Sequence, residues 1–205
     1  MRVLAIGAHP DDIELGCAGT LMLHKLSGDK VSLLVLTKGG ASGNPNIREI
    51  ECKESAKLMG MDDLFFGGLE DTKVGSGRET IDIIEKILNK VKPDIVYGPA
   101  CKDTHQDHRN TSYAVLSAAR RCDTIMLYEG ASTQKDFIPQ IFVDIKETYE
   151  KKKAVIRVFG SQLNNHHGGY KKAVNGVEGL AKFRGYQTGL EFAEAFEAGR
   201  FRFRI

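Results

Sequence analysis

Two short segments concentrate side chains that can bind a metal or move a proton. The first reads Ala8-His9-Pro10-Asp11-Asp12, and the second reads Asp103-Thr104-His105-Gln106-Asp107-His108-Arg109. His and carboxylate are the donors that zinc takes in open catalytic sites, where three protein ligands leave one position for water. The first segment packs a histidine and two carboxylates into four positions stiffened by proline, and the second adds two of the six histidines in the chain. Each segment also has a plainer reading as a helix start, with Asp11 or Asp12 capping one helix and Asp107 the other. Together they suit metal-assisted hydrolysis. By residue type alone, any three of His9, Asp11, Asp12, His105 and His108 are candidate ligands.

The clusters can act together only if the fold brings them to one place. Short runs rich in Val, Ile and Leu alternate with longer helical patterns, the signature of βαβ units around a parallel sheet covered on both faces. Strands are expected over residues 3–7, 31–37, 63–66, 94–97 and 124–128, with another around 141–145. Helices are expected over 15–26, 47–59, 107–121 and 147–159. One more is marked by Ile84, Ile87, Leu88 and Val91, which recur at i, i+3, i+4, i+7 before Pro93 stops the pattern. The polar, glycine-containing segment after Gly160 reads as a long loop. The expected fold is therefore a single α/β, Rossmann-like domain over residues 1–205, with a mostly parallel sheet flanked by helices. Open sheets of this kind bind ligands beyond the carboxyl ends of their strands, and both clusters follow such strands.

With 205 residues and 41% hydrophobic side chains, the chain can bury a sizeable core. Its most apolar stretch, Val31 to Leu36, falls far short of the ~20 residues of a membrane span. The N-terminal MRVLAIGAHPDD meets charges before any secretory core could form, so neither a transmembrane segment nor a signal peptide is expected. Cys17, Cys52, Cys101 and Cys122 form no C-x-x-C pair and read as reduced thiols of a cytoplasmic protein. The formal charge of +2 conceals an asymmetry: residues 1–150 sum to −5 and residues 151–205 to +7. The basic tail could form an anion-attracting rim or an interface, but the small total and the lack of a binding motif argue against nucleic acid.

Rival functions fit less well. A dinucleotide-binding module needs G-x-G-x-x-G at its first turn, where this chain has Gly7-Ala8-His9, and no G-K-[ST] occurs. A metal-dependent hydrolase of phosphoesters or of another amide would use a similar His/Asp kit, the phosphoesterases usually with two metals. A non-catalytic metal-binding α/β protein would call for a closed Cys/His set, which the scattered cysteines do not provide.

The strings AHPDDIELGCAGTL and DTHQDHR resemble the motifs of the PIG-L/LmbE-like zinc-dependent de-N-acetylase family, written AHPDD and H-x-D-H. The resemblance extends through TKGGASG, REIECKESAKLMG, GLEDTKV and the late FRGYQTGLEFAEAFE. It implies one Zn²⁺ per chain held by His9, Asp12 and His108, with Asp11 as general base, His105 as the second catalytic histidine and Asp107 beside it. His105 would then be the oxyanion donor if protonated, with the Asp107 carboxylate favouring the imidazolium or fixing the tautomer. It further implies a small-molecule substrate, an acetylated sugar or sugar conjugate such as an N-acetylglucosamine compound, and it leaves room for a homo-oligomer. Arg48 sits where the family uses an arginine to hold substrate, and the plainer reading pairs it with Glu51. Asp71 and Arg109 are further candidate substrate contacts, with Arg109 alternatively orienting the H-x-D-H loop. Many family members carry Glu directly after AHPDD, whereas this chain has Ile13 and then Glu14. His24 reads as surface or packing, and His166 and His167 as an exposed loop pair.

Overall fold

Period-two burial in the first strand sets the architecture. In β1 (Arg2–Gly7), Val3 and Ala5 enter one apolar core while Leu4 and Ile6 enter another. A strand buried on both sides must lie inside a sheet covered by helices on both faces. The computed structural model, which describes residues 1–163 and 169–202, shows that arrangement. The elements run β1, α1 (Asp12–Leu26), β2 (Lys30–Thr37), α2 (Pro45–Met59), β3 (Asp63–Leu69), α3 (Arg78–Val91), β4 (Ile95–Pro99) and α4 (Gln106–Ala118). They continue with β5 (Thr124–Tyr128), β6 (Ile141–Asp144), α5 (Tyr149–Ile156), α6 (Gly160–Leu163), α7 (Gly169–Tyr186) and β7 (Ala193–Phe201).

The seven strands lie in the order β3-β2-β1-β4-β5-β7-β6. The β1–β2, β1–β4, β2–β3 and β4–β5 pairs are parallel, whereas β7 runs antiparallel to β5 and to β6. Strand order reverses direction at β1, with β2 on one side and β4 on the other. That switch point opens a crevice at the carboxyl ends of β1 and β4, and the two chemical clusters follow those two strands. The expected single α/β domain and its parallel strands are thus present.

Three elements, α6, α7 and β7, were not foreseen. The segment after Gly160 is not one long loop, because α7 begins at Gly169, and β7 completes the sheet beyond it. Strand β7 reads AEAFEAGRF, dominated by the helix formers Ala and Glu, and its first four residues are all buried, so it shows no two-residue alternation. His166 and His167 lie outside the described residues. Among the described residues, no helix is long and apolar enough to cross a membrane.

Helix α1 lies close against the sheet because Gly16 has no side chain. A Cβ there would stand 2.2 Å from Cδ2 of Tyr128, whose hydroxyl donates to the Ile6 carbonyl at 3.0 Å. Gly16→Ala should therefore destabilise the fold by about 1–3 kcal/mol through overpacking. Urea unfolding measures this; wild-type stability would contradict the close packing of α1 on β5.

Candidate metal centre at the strand ends

The loop leaving β1 turns sharply into α1. Asp11 takes a left-handed conformation (φ 99°, ψ −23°), which is costly for a non-glycine residue and requires support from its surroundings. Asp12 supplies part of that support, since its Oδ2 accepts the backbone N–H groups of Ala8 and His9 at 2.9 and 2.8 Å. Arg48 supplies more from α2. Its NH2 group donates to the Pro10 carbonyl at 2.7 Å and to Asp11 Oδ2 at 3.3 Å, and its NH1 group donates to Gly39 and Ser42.

The second cluster follows β4 and meets the first. His9 Nδ1 stands 3.3 Å from His108 Nε2, and Asp12 reaches both rings, with Oδ1 3.1 Å from His108 Nε2 and Oδ2 3.5 Å from His9 Nδ1. The outer nitrogens have acidic partners. His9 Nε2 lies 2.9 Å from Asp71 Oδ1 and 3.2 Å from Asp107 Oδ2, while His108 Nδ1 lies 3.2 Å from Asp103 Oδ2 and 3.1 Å from the Ser132 hydroxyl. The outer nitrogens are thus placed to donate to these partners; in rings that carry a single proton there, the two inner nitrogens would turn their lone pairs toward each other.

In doubly protonated rings both inner nitrogens face Asp12 as cations, so a metal ion at this point would take the place of those protons. Tetrahedral zinc with nitrogens at about 2.0–2.1 Å sets neighbouring donors about 3.3–3.4 Å apart, close to the His9–His108 separation. Carboxylates behind the metal-facing nitrogen of a histidine are the usual means of fixing its tautomer. The proton affinity of the rings reports the same negative field. Burial alone would lower both histidines, yet hydrogen bonds to Asp107, Asp12 and Asp71 push His9 up to about 12, and the charge of Asp12 with the Asp103 hydrogen bond pushes His108 up to about 10. Burial would raise Asp12, but the charge and hydrogen bond of His108 hold it well below the usual carboxylate range. Donor atoms also converge in two other groups, His9 with Asp71 and Asp107, and His9 with His105 and His108. In the first of these, Asp71 Oδ2 also accepts from Ala41 N–H and Asp107 Oδ2 from Thr72 N–H, as Asp12 Oδ2 does from Ala8 and His9.

His105 and Asp107 differ from their expected relation. The Asp107 carboxylate is fully buried against His9 and Thr72, and it is the Asp107 backbone N–H that donates to His105 Nδ1, at 3.2 Å. His105 is thus the N-cap of α4, with its proton on Nε2. Burial and the neighbouring His108 and His9 hold its pKa below the ordinary value, which favours the neutral ring over the imidazolium. Asp11 is shifted the other way: burial and the charge of Asp12 outweigh Arg48 and push it up to about 7.

The expected substrate contacts are all engaged internally. Arg48 is 3% exposed and braces Asp11, and it does not pair with Glu51, which binds Ser161 instead. Asp71 orients His9, which lowers its carboxyl to about 2. Arg109 NH1 donates to the carbonyls of Asp103 and Thr104, the loop-orienting role. Glu14 turns away toward α2, where it accepts from Ser55 and burial pushes it up to about 7. His24 is a packing residue between Asp29 and Tyr97. The sequence reading did not single out Asp103 or Ser132; the signal for Asp103 was its place two residues before His105.

Residues 4–119 match the model of a family described as PIG-L, GlcNAc-PI de-N-acetylase. The chain is 36% identical over 155 residues to the uncharacterized deacetylase YaiS of Escherichia coli (strain K12), covering 72% of this chain and 83% of that protein. It is 30% identical over 187 residues to the diacetylchitobiose deacetylase of Thermococcus kodakarensis, covering 79% and 70% respectively. Among solved structures, the conserved protein TT1542 from Thermus thermophilus superposes with a TM-score of 0.89 at 26% identity, over 100% of this chain and 98% of that one.

If Asp103 orients His108, Asp103→Asn should weaken zinc binding about 10–100-fold with little change in folding. Competition with a chromogenic chelator measures this, and an unchanged affinity would remove Asp103 from the centre.

Proposed function

The chain belongs to the PIG-L, GlcNAc-PI de-N-acetylase family, and from that premise we propose that it is a zinc-dependent hydrolase of 2-acetamido sugars, releasing acetate and the free amine. The observation that carries the reading is the pair of inner imidazole nitrogens, His9 Nδ1 and His108 Nε2, turned toward each other beside Asp12. These three residues would hold one zinc ion per chain. When bound there, zinc polarises the acetyl carbonyl as a Lewis acid and lowers the pKa of water toward about 7.

The remaining work belongs to the protein. Asp11, with a carboxyl pushed up to about 7, can take the proton of the attacking water near neutral pH and hold it while the carbonyl carbon becomes tetrahedral. Arg48 keeps that carboxyl in place through the strained turn. His105 offers its Nε2–H to the developing oxyanion as a neutral donor, a form set by the Asp107 N–H at Nδ1. Asp11 then returns its proton to the departing amine nitrogen. Asp107 and Asp71 act by holding His9, and Arg109 by holding the loop of His105 and His108.

Among sugars, an N-acetylglucosamine compound is the substrate that the names of the relatives support. The test is acetate release by zinc-loaded protein from a panel of free, phosphorylated and conjugated N-acetylglucosamine compounds. Release from at least one member is expected; no release from any, with zinc bound, would overturn the reading. Asp11→Asn should lose about 10²–10⁴-fold in turnover while still binding zinc. Full activity in that variant would reject Asp11 as the base.

A further inference from the structure

Helix α1, which carries Asp12 in its first turn, is broken: Cys17 sits at φ −145°, ψ 16°, outside the helical region. In a continuous helix the Gly19 N–H would donate to the Leu15 carbonyl, and the Thr20 N–H to Gly16. Here both N–H groups go instead to Glu194 of β7, at 2.8 and 2.7 Å, and the Thr20 hydroxyl joins them at 2.6 Å. The Leu15 carbonyl accepts from Lys152 Nζ of α5 at 2.8 Å, and Lys152 also pairs with Glu194 at 2.6 Å. Both side chains are 3% exposed.

The charges match the two sides of the break. The ammonium meets the carbonyl end of the short leading segment, and the carboxylate meets the N–H end of the segment that follows, the signs that helix termini favour. Small residues permit the approach: a Cβ on Gly19 would stand 3.0 Å from Glu194 Oε1 and 2.8 Å from Ile145, while Gly16 lies on the Tyr128 ring. The leading segment, Asp12 to Gly16, is thereby fixed at its start by Asp12 and at its end by Lys152, independently of the axis of the rest of α1.

We propose that Glu194 and Lys152 are positioning residues for the metal centre, a clamp that holds the first turn of α1 at the angle that aims Asp12 at His9 and His108. The inference rests on the zinc ligands assigned above. A buried ion pair is a poor source of net stability, whereas removing one partner leaves an uncompensated charge. That asymmetry separates positioning from mere stabilisation.

The experiment compares Glu194→Gln, Lys152→Met and the double variant with wild type, measuring the melting temperature of the zinc-free protein and the zinc dissociation constant by chelator competition. Both single variants should melt lower and bind zinc at least tenfold more weakly. The double variant should recover most of the melting temperature and remain at least tenfold weaker toward zinc. If the singles do not fold, the double variant alone decides. Recovery of zinc affinity together with melting temperature, or wild-type zinc affinity in the double variant, would overturn the clamp. Asp12→Ala and His108→Ala serve as controls: if they bind zinc as wild type does, the ligand assignment fails; if they lose zinc while the clamp variants keep it, only the clamp fails.

Discussion

The site depends on two imidazoles whose inner nitrogens face each other, 3.3 Å apart, beside one carboxylate. Such an arrangement needs positive charge at its centre, supplied by protons on the rings or by a metal ion. Without either, the nitrogens and the carboxylate would be buried acceptors with no donor, which costs free energy. The surrounding structure removes the obvious escape, rotation or tautomer exchange, because Asp71 and Asp107 hold the far side of His9, and Asp103 and Ser132 hold the far side of His108. What remains is a small volume of concentrated negative potential that a cation would neutralise.

The fold creates that volume through topology. β1 and β4 are neighbours in the sheet although 87 residues separate the end of one from the start of the other. Each delivers its cluster at the same edge, and the helices that follow, α1 and α4, fix the side chains from their first turns. Local conformational cost accumulates at the same place: Asp11 is in a left-handed conformation held by Arg48, and α1 is broken five residues after its start. A chain that breaks local rules at its functional site and compensates with buried polar contacts is behaving as such sites generally do.

Much of this was legible in the sequence. Five strands of a mostly parallel sheet and the meeting of AHPDD with H-x-D-H follow from hydrophobic periodicity and from the position of each motif after a strand; the strand order, and with it the switch point at β1, does not. Orientation was not legible. Residue types marked Asp71, Asp107 and Arg48 as chemical groups, but only the folded structure turns the two acids onto His9 and braces Arg48 against Asp11. β7 was hidden because Ala and Glu favour helices, and because Glu194 lies buried where a strand would ordinarily carry an apolar group. The helix break at Cys17 has no local sequence signal either, since its missing hydrogen bonds are supplied by residues more than 130 positions away.

The most direct measurement is anomalous diffraction at the zinc absorption edge from crystals of the zinc-loaded protein. A single peak per chain within bonding distance of His9 Nδ1, Asp12 and His108 Nε2 is the expected result. A peak on the opposite side of the His9 ring, at Nε2 between Asp71 and Asp107, would contradict the ligand set and the mechanism built on it.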